Sequence, residues 1–309
     1  MQYHIYFRIR RGGIGIPYEL AKTEFQAVFG GFGLEIRCES WARRHMRVDL
    51  NLAPIDVKAY AANLGYTEAI LHLRSEAYRD EALSPIERGR WHVGWVRRRD
   101  RKVYQTEVYV QDAEALLAHA PDKREFLIEQ GGEKRQAFGH HVHRAMSVLD
   151  VKFLYNIAKP SSTDLILDPF AGYGGVIFEG RLRGLSVIAS DVDRRLSPGL
   201  SELAPRAYFV ADARSLPLTT DSIDLIVTEP PFRTVHRRAV MDAIPELYRA
   251  LKPKGRMVLL VSSDMREEIY TTFEELGVKI GTLGVIPRGG GLQCPVLGIG
   301  FKDFTCRTS

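Results

Sequence analysis

The alternation of hydrophobic and polar positions along the first 75 residues predicts a small α+β unit. Tyr3, Ile5 and Phe7 recur at every second position, which is typical of a strand with one buried face, while Ala21 and Phe25 are spaced as on one face of a helix. The full pattern gives the order strand, helix, strand, strand, helix, strand, which is the ferredoxin-like plan. We therefore expect a ferredoxin-like N-terminal lobe over 1–75, with elements at 3–10, 17–29, 32–38, 45–50, 54–64 and 67–73.

Between residues 76 and 139 the pattern is weaker, and it predicts a small appended α+β lobe followed by a connector. Two strand-like segments, 91–97 and 103–110, flank a run of basic residues at 97–102. A short helix is predicted over 112–119. Gly131-Gly132 and the polar residues after them are typical of a linking segment.

From residue 140 to residue 309, strands and helices alternate, which predicts a parallel sheet covered by helices on both faces. The first helix of this region ends before Pro160, because the residue before a proline is disfavoured in the helical conformation. The last two strand-like segments, 279–286 and 296–301, are joined by a loop too short for a helical crossover. We therefore expect these two segments to pair antiparallel.

Composition and charge narrow the class of protein. The 309 residues carry 43 Lys and Arg against 38 Asp and Glu, a formal charge of +5, which permits a polyanionic partner without requiring one. No apolar run is long enough for a membrane helix, and the alternating N-terminus is unlike a signal peptide. Three scattered cysteines indicate neither a disulfide framework nor a zinc site, so we expect a cytoplasmic location and no membrane partner.

A glycine-rich turn follows the first predicted strand of the C-terminal region. The sequence Asp168-Pro-Phe-Ala-Gly-Tyr-Gly-Gly175 leads directly into a helix, whose first N–H groups favour an anionic ligand group. Asp191 ends the next predicted strand, where a carboxylate can accept from the two hydroxyls of a ribose. Asp212 and Ala213 lie at the end of the third predicted strand. These positions together predict a nucleotide site at one edge of the sheet.

A second motif, Thr228-Glu229-Pro230-Pro231-Phe232, ends the fourth predicted strand. Two consecutive prolines stiffen the chain and remove two backbone donors. A side-chain oxygen, a proline carbonyl and an aromatic ring can together receive a planar base that carries an amine, because two acceptors meet the N–H groups and the ring meets the face.

Residues 168–175 and 229–232 together resemble the S-adenosylmethionine-dependent amino-methyltransferases, and most closely the branch that modifies guanosine N2 in tRNA, the Trm11-like proteins. The resemblance covers about residues 140–301, and the N-terminal lobe is similar to that branch's RNA-binding half. It implies an α/β fold with the seven-stranded, Rossmann-like sheet of class I methyltransferases and an antiparallel last strand. It also implies S-adenosylmethionine as cofactor and RNA, most directly tRNA, as partner.

The resemblance also implies roles for individual residues. Asp168, Ala171 and Gly172 would cradle the methionine part of the cofactor, Asp191 would bind the ribose, and Glu229 would receive the base. The remaining implied residues are Pro169, Phe170 and Gly174 around the cofactor, Asp212 and Ala213 beside the adenine, and Pro230 and Phe232 beside the base. The family usually has Asp or Asn at the position of Glu229, which is one methylene longer.

Two other functions stay open from the sequence. A DNA methyltransferase acting on adenine N6 or cytosine N4 would use the same aromatic-ended motif, although no groove-reading helix is apparent. A catalytically silent RNA-binding protein could retain the same fold. A small activating protein is a further open partner, and His140, His141 and His143 alone lack the ligands for a metal site, so none is predicted.

Overall fold

The computed structural model describes residues 1–8, 10–11, 14–41, 44–73, 90–96, 103–109, 113–117, 127–131, 133–136 and 146–300. The chain divides into two compact units. One comprises residues 1–11 and 15–122, and the other comprises residues 12–14 and 123–309.

The first unit is built on a five-stranded antiparallel sheet in the order β4-β5-β1-β6-β9. Its first four strands reproduce the ferredoxin-like order predicted from the sequence. Two further two-stranded sheets pair β2 with β3 and β7 with β8. The elements are β1 (Gln2–Phe7), β2 (Arg10–Arg11), β3 (Ile14–Gly15), α1 (Tyr18–Phe29), β4 (Glu35–Ser40), β5 (His45–Asp49), α2 (Pro54–Ala61), β6 (Thr67–Leu73), β7 (Arg90–Val96), β8 (Val103–Tyr109) and β9 (Ala113–Leu117).

The alternation in β1 has the expected structural meaning. Phe7 packs edge-on against Phe25 of α1, whose ring also contacts Phe29 one turn later. Glu24 lies on the same helix and is buried, and its two carboxylate oxygens accept hydrogen bonds from the backbone N–H groups of Gly65 and Tyr66. A buried carboxylate with such donors fixes the chain at the entry to β6.

Three details of the prediction for residues 1–139 differ from the structure. Gly30–Phe32 forms a 3-10 turn, so β4 begins three residues later than predicted. The helix predicted over 112–119 is instead strand β9, which pairs antiparallel with β6. In the second unit, Glu133–Gln136 lies in the segment expected to be a connector but forms strand β11, which pairs with β10 (Leu127–Gln130), a strand that was not predicted. The basic run at 97–102 and the histidines at 140–143 lie outside the described residues, and the domain boundaries at 75 and 139 stay predictions.

The second unit carries a seven-stranded sheet in the order β14-β13-β12-β15-β16-β18-β17. The pairs among its first five strands are parallel, whereas β18 is antiparallel to both β16 and β17, as the short final connection predicts. Besides the hairpin, its elements are α3 (Val148–Ala158), β12 (Leu165–Asp168), α4 (Gly175–Leu182), β13 (Ser186–Asp191), α5 (Ser197–Leu203), β14 (Tyr208–Val210), β15 (Ile223–Thr228), α6 (Arg237–Ala250), β16 (Leu251–Leu260), α7 (Arg266–Glu275), β17 (Gly281–Pro287) and β18 (Gln293–Ile299).

The strand order of this sheet reverses between β12 and β15, which are neighbours although two strands and two helices separate them in the chain. Leu167 of β12 pairs with Ile226 of β15, and both are fully buried. In open α/β sheets, ligands bind beyond the carboxyl ends of the strands at such a reversal. A ligand site is therefore expected at the residues that follow Leu167 and Ile226.

Candidate active site

Two side chains meet at the carboxyl ends of β12 and β15. The hydroxyl of Thr228 donates a hydrogen bond of 2.6 Å to Oδ1 of Asp168, and the same oxygen accepts from the N–H of Phe170 at 3.3 Å. Asp168 is 2% exposed and Thr228 is fully buried. The contact ties the glycine-rich turn to the strand that carries the double-proline motif.

Burial dominates the ionisation of Asp168. Desolvation raises the pKa of its carboxyl to about 7, with smaller raising contributions from Asp191 and Glu229, while the hydrogen bonds from Thr228 and Phe170 act in the opposite direction. A carboxyl with such a pKa exchanges its proton near neutral pH. Strongly perturbed groups of this kind cluster at functional sites.

The carboxylate of Asp191 accepts hydrogen bonds from backbone N–H groups, one of which belongs to the glycine-rich turn. The N–H of Gly172 donates to Oδ2 of Asp191 at 2.8 Å, and the N–H of Asp193 donates to Oδ1 at 2.8 Å. Gly172 and Gly174 have φ of +51° and +76°, a left-handed conformation that favours glycine. The backbone N–H of Val192 also donates to this carboxylate, and since each carboxylate oxygen accepts about two hydrogen bonds, Asp191 retains capacity for a ribose hydroxyl. The turn, Asp168 and Asp191 fit the cofactor that the sequence predicts.

Asp212 has a different environment. Arg214 forms an ion pair with its carboxylate at 2.6 Å, and the backbone N–H of Arg214 donates to it at 2.9 Å. The side-chain hydrogen bond from Arg214 lowers the pKa of Asp212, with the backbone bond acting in the same direction. Asp212 therefore caps its own turn, and its place beside an adenine, with that of the buried Ala213, stays a prediction.

A pocket that is partly open to solvent brings the two motifs together. Asp168 and Glu229 both line it, so carboxylates from neighbouring strand tips border one space. Five of the predicted site residues lie in its wall, whereas Pro169, Gly174, Asp191, Asp212, Ala213, Pro230 and Phe232 are not among the lining residues. The wall consists of Met146, Asp168, Phe170, Ala171, Gly172, Tyr173, Gly175, Val176 and Glu229.

Glu229 and Phe232 share a partner that the sequence did not indicate. Arg288 lies at the start of the loop between β17 and β18. Its Nη1 donates to Oε1 of Glu229, and its guanidinium carbon lies 5.2 Å from the centroid of the Phe232 ring. Its Nη2 donates to Oδ2 of Asp150 in the first turn of α3 at 3.3 Å. Burial opposes the charge of Arg288, but Glu229 and Asp150 together raise its pKa above the ordinary value.

Within the described part of the chain, no cluster of histidine, cysteine, aspartate or glutamate could hold a metal ion. Over the same residues, no helix combines the length and the apolar character that a membrane span requires.

Part of the chain matches a known family, and its fold is similar to that of a solved structure. Residues 167–259 match a family model described as "Methyltransferase domain". Over the whole chain, the fold is similar to the crystal structure of TrmN from Thermus thermophilus, with a TM-score of 0.54 at 15% identity, covering 97% of this chain and 100% of that one. At this identity the likeness shows the fold alone.

Two sequence relatives are named for one activity. The chain is 34% identical over 94 residues to the tRNA (guanine(10)-N2)-dimethyltransferase of Methanothermobacter thermautotrophicus, covering 28% of each. It is 30% identical over 124 residues to the probable tRNA (guanine(10)-N2)-dimethyltransferase of Methanothermococcus thermolithotrophicus, covering 35% of this chain and 76% of that relative. The match to the first relative thus spans well under half of its length, and the match to the second spans most of it. The chain belongs to the S-adenosylmethionine-dependent methyltransferases, in the family of the tRNA guanine-N2 methyltransferases.

Proposed function

We propose that the chain transfers a methyl group from S-adenosylmethionine to the exocyclic amine of a nucleobase in RNA, specifically N2 of a guanosine in tRNA. One observation carries the proposal: Asp168 and Glu229 extend from neighbouring strand tips and line the same pocket. One carboxylate lies on the glycine-rich turn that fits the cofactor, and the other begins the double-proline motif.

On the cofactor side, the chain binds and orients. Asp168 with the turn through Ala171 and Gly172 would hold the methionine part, and Asp191 would hold the ribose. When bound, S-adenosylmethionine supplies an electrophilic methyl group, because its sulfonium sulfur can leave as a neutral thioether. Because the leaving group is already activated, alignment of the two reactants provides most of the acceleration.

On the acceptor side, the chain accepts hydrogen bonds from the N–H groups of an amine. The lone pair of an exocyclic amine is delocalised into the base, which makes the amine a poor nucleophile. Acceptance of its N–H bonds by the Glu229 carboxylate and the Pro230 carbonyl would localise this lone pair and stabilise the positive charge that develops on nitrogen. The amine proton becomes acidic only after transfer, so Glu229 need not be a strong base.

The choice of RNA rests on the relatives and on the first unit. Both sequence relatives described above are named for guanine N2 of tRNA. The first unit has a ferredoxin-like sheet, which suits structured RNA, whereas a DNA reader usually presents a helix to the major groove.

Mass spectrometry of nucleosides after incubation with S-adenosylmethionine and bulk tRNA tests the proposal. The expected products are N2-methylguanosine or N2,N2-dimethylguanosine. Methylated adenine N6 or cytosine N4 in a parallel DNA reaction would instead favour the DNA enzyme. Cofactor binding without transfer to either polymer would favour the silent RNA-binding protein.

A further inference from the structure

Arg288 connects three separate parts of the second unit. It contacts Glu229 at the tip of β15, Asp150 at the start of α3 and the ring of Phe232 beyond the double proline. The three partners lie 59, 138 and 56 residues from it in the sequence, and only the fold brings them together.

The contacts of Arg288 are well shielded from water. Its side chain is 19% exposed, that of Glu229 is 15% exposed and that of Asp150 is 0% exposed. Charge pairs in such surroundings are screened far less than pairs on the surface. Removal of the arginine would leave two neighbouring carboxylates in a mostly buried place, so the arginine is not easily displaced.

The backbone that carries Arg288 is also fixed. Its N–H donates to the carbonyl of Leu292 at 2.8 Å, and the preceding Pro287 pairs with Gln293 across the hairpin. Gly290 and Gly291, with φ of +73° and +77°, allow the chain to reverse within this short loop. The guanidinium is therefore presented from a closed turn.

Glu229 lines the pocket, whereas Arg288 is not among the lining residues. Arg288 thus contacts the pocket only through Glu229, among the lining residues. A glutamate has one more rotatable bond than an aspartate and loses more rotamer freedom when it is fixed. A displacement of about 1 Å can cost on the order of 100-fold in rate where alignment matters.

We propose that Arg288 is a positioning residue, which holds the Glu229 carboxylate charged and aimed at the acceptor pocket while Asp150 holds the other terminal nitrogen of the guanidinium. The inference rests on the proposed function of Glu229 for its catalytic consequence. Its physical content, the control of one carboxylate by one arginine, can be measured without turnover.

The first test is a ¹³C NMR titration of the Glu229 carboxyl, assigned by its loss in Glu229→Gln. In Arg288→Met we expect the midpoint to rise by at least about one pH unit, because an adjacent cation favours the charged carboxylate. Arg288→Lys, which keeps the charge, should give a smaller rise. Arg249→Met is the matched control, since Arg249 pairs with Glu246 outside the site. An unchanged midpoint in Arg288→Met would overturn the proposal.

The second test is single-turnover methyl transfer at saturating RNA. Arg288→Met should slow transfer by about 100-fold, with cofactor affinity retained within about twofold and partial recovery in Arg288→Lys. Faster transfer or a lower half-saturating RNA concentration in Arg288→Met would mean that the arginine obstructs the base, which contradicts the positioning role. If the unaltered protein methylates no RNA, the proposed function fails. The NMR titration still shows whether Arg288 shifts the titration midpoint of Glu229.

Discussion

The pKa of Asp168 makes a quantitative prediction about cofactor binding. If the ionised carboxylate holds the α-ammonium of the cofactor, binding requires Asp168 to lose its proton. With the pKa at about 7, half of the protein is competent at pH 7, and only about one part in ten at pH 6. The apparent Kd should therefore be about tenfold lower at pH 8 than at pH 6, which corresponds to a binding free energy more favourable by about 1.4 kcal/mol.

S-adenosylhomocysteine, which is the cofactor after it has lost its methyl group, keeps the same α-ammonium group. Isothermal titration calorimetry with this compound therefore measures the pH dependence of binding without turnover. Thr228→Val removes a hydroxyl that donates to Asp168 at 2.6 Å. Loss of a hydrogen bond to a charged acceptor costs about 1.5–3 kcal/mol, so the midpoint should rise by about one to two pH units. Asp168→Asn should bind weakly and without a pH dependence between pH 6 and pH 8.

Asp224→Asn is the control for the calorimetry. Asp224 pairs with Lys252 at 2.7 Å near the start of β15, away from the site, and the variant should keep the slope of the unaltered protein. A Kd that is flat from pH 6 to pH 8 in the unaltered protein would refute the reasoning. The same slope in Asp168→Asn would assign the titration to another group.

Three further predictions concern the same elements. Between pH 4 and pH 7 the folded state holds a proton on Asp168 that the unfolded state releases, so the free energy of unfolding should fall as pH rises through this window, by up to about 4 kcal/mol over the whole of it. Urea unfolding at pH 5 and pH 7.5 should show about 2.5 kcal/mol of this fall in the unaltered protein and none of it in Asp168→Asn. Gly180→Ala should lower the free energy of unfolding in urea by about 1–3 kcal/mol, because the added Cβ would lie 2.5 Å from both Tyr155 Oη and Val187 Cγ2. Gly281→Ala is the control and should lower it much less, because an added Cβ there would have nothing within 4 Å. Asp191→Ala should abolish S-adenosylhomocysteine binding by calorimetry, while Asp193→Ala, whose backbone N–H still reaches Asp191, should retain it; equal binding by both variants would remove the ribose role.

The sheet of the second unit was predictable because its pattern is long and its connections are short. Alternating segments predicted the parallel strands, and the loop between β17 and β18 left only an antiparallel return. By contrast, β9 was misread as a helix because Ala113, Glu114 and Leu116 are all good helix formers. Pairing with β6 overrides that local preference, and a single sequence does not show such pairing.

The site was predictable only where a residue type marks a strand end. Asp168, Asp191 and Glu229 each follow a predicted strand, so their shared sheet edge followed from topology. Arg288 and Asp150 did not stand out, because only the folded chain brings the residue after β17 to the first turn of α3. The hydrogen bond from Thr228 likewise depends on the register between β12 and β15.

Glu229→Ala provides the most direct test of the central claim, that the Glu229 carboxylate receives the amine of a target base. Methyl transfer to tRNA, followed by nucleoside mass spectrometry, is measured beside calorimetric binding of S-adenosylhomocysteine. We expect Glu229→Ala to bind S-adenosylhomocysteine with a Kd within about twofold of that of the unaltered protein. The variant should form N2-methylated guanosine at least about 100-fold more slowly. Full transfer by Glu229→Ala would contradict the account.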